Sequence, residues 1–170
     1  MSQSGVRVRR RSSTGPEHRS EPDERRTQVQ VWLLDVNVLV ALAWPNHVGH
    51  PAALRWFTSN RKSEWATTPV TESGFVRVSS NRRALPTSTT PAIAVEMLHR
   101  LTALSGHKFW ADTVRWVLGE HCDPNRLTGH RQITDAHLVA LAREYDGGLV
   151  TFDRGVVGLA ERARVQLLAP

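Results

Sequence analysis

Short apolar runs alternate with segments of helical periodicity from Val31 to the end of the chain. Four of these runs have the length and the flanking turn residues of buried strands. They are Val31–Asp35, Glu64–Pro69, Gly148–Phe152 and Arg164–Leu168. Because strands that alternate with helices build parallel sheets with helices on their faces, the pattern predicts an α/β fold around a central, mostly parallel sheet.

Five helices are predicted around these strands. They are Leu39–Ala43 with its apolar continuation, Pro51–Thr58, one that begins near Thr71, one that follows Thr90-Pro91, and Thr134–Tyr145. The fourth helix carries apolar side chains in helical register. These side chains are Ile93, Met97, Leu101 and Leu104.

The first thirty residues differ in composition from the rest of the chain. Residues 1–30 contain seven Arg and four acidic residues, together with several Ser, Gln and Pro, and almost nothing apolar. Such a segment buries too little surface to offset the entropy that ordering would cost. We therefore expect a disordered, basic N-terminal extension over residues 1–30 and one folded domain over residues 31–170.

The charge of the chain favours acidic partners. The formal net charge is +6, and residues 31–170 hold 15 Lys and Arg against 12 Asp and Glu. If a metal neutralises four of those acids, the balance becomes 15 against 8, which describes a basic surface around an acidic site. Nucleic acid is the commonest partner of such a surface.

The remaining composition predicts a cytoplasmic protein that does not interact with membranes. Cys122 is the single cysteine, so an intramolecular disulfide framework is excluded, and we expect a buried structural thiol. No apolar run follows the N-terminal arginines, and nowhere do about 18 apolar residues run together.

Four acidic residues fall where predicted strands pass into helices. Asp35 ends the first apolar run and Asp153 follows the third, whereas Glu72 and Asp135 lie in the first turns of predicted helices. Each acid alone could simply cap a helix or be stabilised by the helix dipole. Together they occupy the same kind of junction, and the carboxyl ends of parallel strands are where such sheets bind ligands. The joint pattern therefore predicts one acidic site.

Clustered carboxylates raise one another's pKa and resist joint ionisation, and a hard divalent cation resolves that conflict. Mg²⁺ prefers oxygen ligands, so it is the expected cofactor, with Mn²⁺ as a substitute. Asn37, two residues after Asp35, adds a neutral amide that could hold a carboxylate or a metal-bound water. The chemistry that such a site supplies is hydrolysis of phosphodiesters.

The segments that carry these acids resemble the four acidic motifs of PIN-domain ribonucleases, and in particular those of VapC toxins. They read LLDVNVL over 33–39, TESGFVRV over 71–78, ITDAHLVALA over 133–142 and LVTFDRG over 149–155. The similarity spans about residues 31–168 in the family's order and spacing. Only the long leader departs from the pattern, since such toxins usually begin almost at the first strand.

The resemblance implies a three-layer α/β/α fold and Mg²⁺-dependent endonucleolytic cleavage of structured RNA, either tRNA or a ribosomal RNA loop. It implies inhibition by a small VapB-like antitoxin and assembly as a homodimer. By position, Asp35 and Asp135 are similar to the principal metal ligands and Glu72 to the acid that completes the site. Asp153 is similar to the fourth acid, which often binds metal through water. Two further positions match supporting polar residues of the family: Asn37 and Thr151.

Two other functions compete with this one. A phosphatase of the haloacid dehalogenase kind needs a second Asp where this chain has Asn37, so its general acid is missing and this function is disfavoured. A non-catalytic RNA-binding module on the same fold stays open, although loss of activity usually removes acids and here all four are present. Trp44 and Trp110, which lie beside predicted loops, are expected to stack on bases or to contact the antitoxin.

Overall fold

The computed structural model describes residues 30–115, 123–130, 132–159 and 163–170. The predicted N-terminal extension, apart from Gln30, lies outside the described residues, as does Cys122.

A five-stranded parallel sheet forms the centre of the molecule. Its strands are β1 (Val31–Leu34), β2 (Glu64–Thr67), β3 (His107–Phe109), β4 (Gly148–Thr151) and β5 (Arg164–Leu167). They lie in the order β3-β2-β1-β4-β5, and each of the four neighbouring pairs is parallel. The predicted fold class is therefore confirmed.

In the part of the chain that the structure describes, five α-helices connect and cover these strands. They are α1 (Val36–Ala43), α2 (His50–Ser59), α3 (Pro69–Ser79), α4 (Pro91–Thr102) and α5 (Gln132–Glu144). Short 3₁₀ helices span Pro124–Arg126 and Arg154–Leu159. Both α3 and α4 begin where a threonine precedes a proline, and the threonine hydroxyl accepts a hydrogen bond from a backbone N–H three residues later. Among the described helices, none is both long and apolar enough to cross a membrane.

The helices divide into two layers because successive side chains of a strand point to opposite faces. Leu34 and Val150 join a core built with α1 to α4. Leu33 and Leu149, one position earlier on the same strands, join a second core built with α5 and the 3₁₀ helix Arg154–Leu159. The result is a three-layer α/β/α arrangement.

The short strand β3 was not predicted from the sequence. Its residues His107, Lys108 and Phe109 form no apolar run, because β3 is an edge strand and two of its three side chains are exposed. Hydrophobic patterning detects strands that are buried on their faces, so a short, polar edge strand gives no such signal.

Only part of the apolar register of α4 faces the core. Ile93 is 52% exposed and Leu104 is 46% exposed, whereas Ala94 and Leu98 are buried. Met97 and Leu101 are partly buried against the same core, so they lie at the margin of the buried face. The small side chain of Ala94, which periodicity does not emphasise, faces the core.

Candidate active site

The acidic residues gather where the strand order reverses direction. From β1, the chain builds outward through β2 and β3 on one side and through β4 and β5 on the other. Asp35 follows β1 directly, and Asp153 lies two residues beyond the end of the adjacent strand β4. Ligands of open parallel sheets bind at this kind of switch point, outside the carboxyl ends of the strands.

Asp35 is held in place by a set of donors. Its side chain is almost wholly buried, and the residue is only 7% exposed. Its Oδ2 atom accepts hydrogen bonds from the hydroxyl of Thr151 at 2.6 Å and from the amide of Asn37 at 2.7 Å. Burial raises the pKa of Asp35, while these donors and the backbone N–H of Val36 act against that rise. The carboxylate is therefore fixed in orientation and poorly solvated.

Asn37 and Thr151 also join the start of α1 to the end of β4. The Oδ1 atom of Asn37 accepts from the backbone N–H of Phe152 at 3.2 Å, and its amide donates to the Thr151 hydroxyl at 3.1 Å. The same hydroxyl accepts from the backbone N–H of Asp153 at 3.0 Å. Because Thr151 is fully buried, this network excludes water from one side of Asp35.

Asp135 contributes the third carboxylate of the site from the first turn of α5. Its pKa is raised to about 6, first by partial burial and then by the negative charges of Asp35 and Asp153. Asp153 also raises the pKa of Asp35, as a smaller effect than burial. The three aspartates therefore share one electrostatic environment in which their joint ionisation is opposed.

Glu72 is engaged by a different set of residues. It lies in the first turn of α3, and its Oε1 atom accepts a hydrogen bond of 2.7 Å from the hydroxyl of Thr67, the last residue of β2. The charge of Glu72 acts on His107 of β3. The three aspartates thus interact electrostatically with one another, whereas Glu72 is hydrogen-bonded to the end of β2.

The donor set suits a hard divalent cation. The side chains concerned offer carboxylate oxygens, which Mg²⁺ prefers, and their like charges are incompletely solvated. Within the described ranges, no three His, Cys, Asp or Glu side chains converge closely enough to hold a metal ion by themselves. Mg²⁺ usually takes only one or two carboxylates and keeps several waters.

Sequence reasoning missed two polar pairs beside the site. Thr67 is fully buried and bonds to His107, and His137 of α5 bonds to Asp112 at 2.9 Å, just beyond β3. Both pairs depend on β3, which the apolar pattern did not reveal. The acid Asp112 also follows a strand, and that position would have identified it had β3 been predicted.

The expectation that Trp110 stacks on a base or contacts a partner is contradicted. Trp110 is only 5% exposed, and its ring stacks on that of Tyr145 with centroids 4.6 Å apart and an interplanar angle of 4°. Trp44 is half-buried and donates its indole N–H to the Ser79 hydroxyl at 3.3 Å. An aromatic residue beside a loop in the sequence can still belong to the core, because the loop itself packs on a helix.

Known proteins resemble this chain over nearly the whole described region. Residues 32–162 match the sequence model of the PIN domain. Ribonuclease VapC39 of Mycobacterium tuberculosis is 53% identical over 136 residues, which cover 80% of this chain and 98% of that protein. Ribonuclease VapC38 of the same species is 50% identical over 130 residues, covering 76% of this chain and 90% of that protein.

Two solved structures share the fold at low sequence identity. One is VapBC2 from Rickettsia felis bound to a DNA fragment from its promoter, with a TM-score of 0.53 and 11% identity. That match covers 82% of this chain and all of the other. The other is VapC20 of M. tuberculosis, described as a toxin that cleaves the sarcin–ricin loop, with a TM-score of 0.51 and 13% identity. It covers 76% of this chain and 97% of that one.

Proposed function

Because the chain belongs to the PIN-domain family as a ribonuclease of the VapC type, we propose that it cleaves structured RNA with Mg²⁺ bound between its aspartates. The observation that carries this proposal is the electrostatic conflict among Asp35, Asp135 and Asp153. The pKa of Asp35 is raised, and that of Asp135 is raised to about 6. The negative charge of Asp153 opposes the ionisation of both carboxyls. A divalent cation bound there removes the conflict, and the ionised site then forms at neutral pH.

The carboxylates have separable tasks in the proposed mechanism. Asp35 and Asp135 would hold the ion, and Asp153 and Glu72 would complete the acidic site. When bound, Mg²⁺ supplies activation of water and neutralisation of the charge that develops on the phosphodiester. Thr151 and Asn37 would keep the Asp35 carboxylate in one orientation, since both donate to its Oδ2 atom. Mn²⁺, which takes the same oxygen ligands, would substitute for Mg²⁺.

The proposed substrate is a folded RNA, either tRNA or a ribosomal RNA loop. The net charge of +6 favours a polyanion. VapC20, which shares this fold, is described as cleaving the sarcin–ricin loop, and we extend the class of structured RNA to this chain on that basis. Cleavage of such RNA would take place in the cytoplasm.

The proposed protein partners are a VapB-like antitoxin and a second copy of the chain. The fold neighbour VapBC2 is named as a toxin–antitoxin pair, and that supports the antitoxin. A homodimer would place two acidic sites along one basic groove. The PIN-domain match begins at residue 32, so we assign the nuclease to residues 31–170 and no part of it to the basic extension of residues 1–30.

Cleavage of total tRNA and ribosomal RNA by the full chain tests the function. We expect product in Mg²⁺, none in EDTA, and recovery when Mg²⁺ or Mn²⁺ is added back. Asp35→Ala is expected to bind RNA without cutting it, because one proposed ligand of the ion is gone while the basic surface remains. Binding by the wild-type chain that yields no metal-dependent product would instead favour the non-catalytic RNA-binding module.

Replacing Thr151 tests the support given to Asp35. Thr151→Val keeps the shape of the side chain and removes the 2.6 Å hydrogen bond, so we expect kcat to fall roughly 10- to 100-fold, as for other groups that orient metal ligands. Thr151→Ser retains the hydroxyl and should stay within about threefold of wild type on the same grounds. Steady-state cleavage of a fluorescent RNA measures both. Equal activity of the valine and serine variants would remove Thr151 from the mechanism.

A further inference from the structure

A chain of hydrogen bonds connects Glu72 to the edge of the sheet. The hydroxyl of Thr67 lies 2.7 Å from Glu72 Oε1 and 2.8 Å from the Nε2 atom of His107. The three residues come from three adjacent elements, since Thr67 ends β2, Glu72 lies in α3 and His107 begins β3. Thr67 is fully buried, so its hydroxyl has these two side chains as partners in place of bulk water.

The direction of each bond follows from the chemistry of the groups. An ionised carboxylate only accepts hydrogen bonds, so the Thr67 hydroxyl proton points to Glu72. A hydroxyl has one proton, and therefore His107 must donate from Nε2 to the Thr67 oxygen. His107 thus fixes the orientation of a hydroxyl that in turn fixes a carboxylate.

The surroundings of His107 keep its ring in place. The ring lies against Trp65, with centroids 4.6 Å apart and an interplanar angle of 53°. Partial burial lowers the pKa of His107, and the charge of Glu72 opposes that effect. A neutral ring with its proton on Nε2 satisfies the hydrogen bond to Thr67.

We propose that His107 is a positioning residue for Glu72 and acts through the hydroxyl of Thr67. The proposal rests on the proposed function, in which Glu72 completes the acidic site. Glu72 has a flexible side chain on the first turn of a helix, and without this chain of bonds its carboxylate would sample several rotamers. The edge strand β3 therefore serves the reaction, although none of its residues is an acid.

Two substitutions at position 107 separate positioning from packing. His107→Phe keeps a ring against Trp65 but removes the donor, whereas His107→Gln keeps an N–H donor at a similar reach and removes the ring. We expect His107→Phe to lower kcat about tenfold with KM unchanged, as for other orienting groups. We expect His107→Gln to retain kcat and to lower the melting temperature. A packing role alone predicts the reverse order, and that result would overturn the proposal.

A double-mutant cycle tests the connection through Thr67. Thr67→Val removes the hydroxyl, so His107→Phe should cause no further loss in that background if the two act in series. Additive losses would contradict the connection. His99→Phe is the matched control, because His99 is an exposed histidine on α4 and its replacement should leave kcat unchanged.

Wild-type cleavage in Mg²⁺ is measured first and separates the two proposals. No cleavage there contradicts the proposed function, whereas cleavage that His107→Phe leaves unchanged contradicts only the role of His107. Crystal structures of the variants add a measurement that does not depend on activity. The Glu72 carboxylate should leave its wild-type position in His107→Phe and keep it in His107→Gln. An unmoved carboxylate in both would also overturn the proposal.

Discussion

Replacing Asp135 with asparagine is expected to abolish RNA cleavage and, at the same time, to raise the thermal stability of the metal-free protein at neutral pH. Asp135→Asn removes one proposed ligand of the ion, so we expect kcat/KM to fall at least about 10³-fold, or ~4 kcal/mol of transition-state stabilisation. It also removes one of three mutually repelling charges, which is why stability should rise.

The pH dependence of that gain in stability has a definite sign. The pKa of Asp135 in the folded protein is about 6, above its ordinary value of 3.8, so the folded state holds this proton more tightly than the unfolded chain. The stability of the wild type therefore falls as pH rises from 3.8 through about 6, and it stays lowered above that range. Asparagine does not titrate, so the melting temperature of Asp135→Asn should increasingly exceed that of the wild type as pH rises across this window.

Thermal melting of both proteins in EDTA, between about pH 4 and pH 8, measures this difference. That pH range spans the window in which proton binding by Asp135 is linked to folding. Added Mg²⁺ should raise the melting temperature of the wild type at neutral pH and that of Asp135→Asn much less. Asp146→Asn is the control, because Asp146 is an exposed aspartate just beyond the same helix. Retained cleavage by Asp135→Asn, or a stability gain that does not vary with pH, would contradict the assignment.

Gly147→Ala is expected to cause a large loss of stability. A methyl group at Gly147 would lie 2.8 Å from the carbonyl oxygen of Val31 and closer still to the Trp110 ring. The backbone of Val31 cannot yield easily, because Trp32 is paired with Gly148 in the sheet. Trp110 is itself held by stacking on the ring of Tyr145. We expect a loss of about 2–3 kcal/mol in the free energy of unfolding, which corresponds to a melting temperature lower by roughly 5–10 °C.

Gly158→Ala is the matched control for that substitution. A methyl group at Gly158 would meet nothing within 4 Å, so the same chemical change should leave the melting temperature nearly unchanged. Comparable melting of Gly147→Ala and Gly158→Ala would show that the contact between Trp110 and the sheet can relax.

The positions of the acids were predictable because they depend on local pattern. Asp35 and Asp153 follow apolar runs that became β1 and β4, and any parallel arrangement brings such residues to one edge of the sheet. The bond from Thr151 to Asp35 could be suggested only through the family resemblance. Hydrophobic periodicity does not predict that β1 and β4 are neighbours in the sheet. Thr151 and Asp35 are 116 positions apart in the chain.

The surroundings of Glu72 could not be predicted for a different reason. Its partners Thr67 and His107 are joined by the pairing of β2 with β3, and β3 has only three residues. A strand of that length at the edge of a sheet is determined by long-range contacts and not by the composition of its own segment. Trp110 illustrates the same limit, since its burial results from the docking of the segment after β3 onto Tyr145.

The pairing of β1 with β4 also determines when the acidic site can assemble during translation. Asp35 emerges from the ribosome early, but the hydroxyl that holds it belongs to a residue 116 positions later. The entropy cost of closing so long a loop is met before the contacts between β1 and β4 can stabilise it. We therefore expect the site to form late in folding. A nascent chain therefore carries Asp35 without its supporting hydroxyl until Thr151 has been made and β4 has paired with β1.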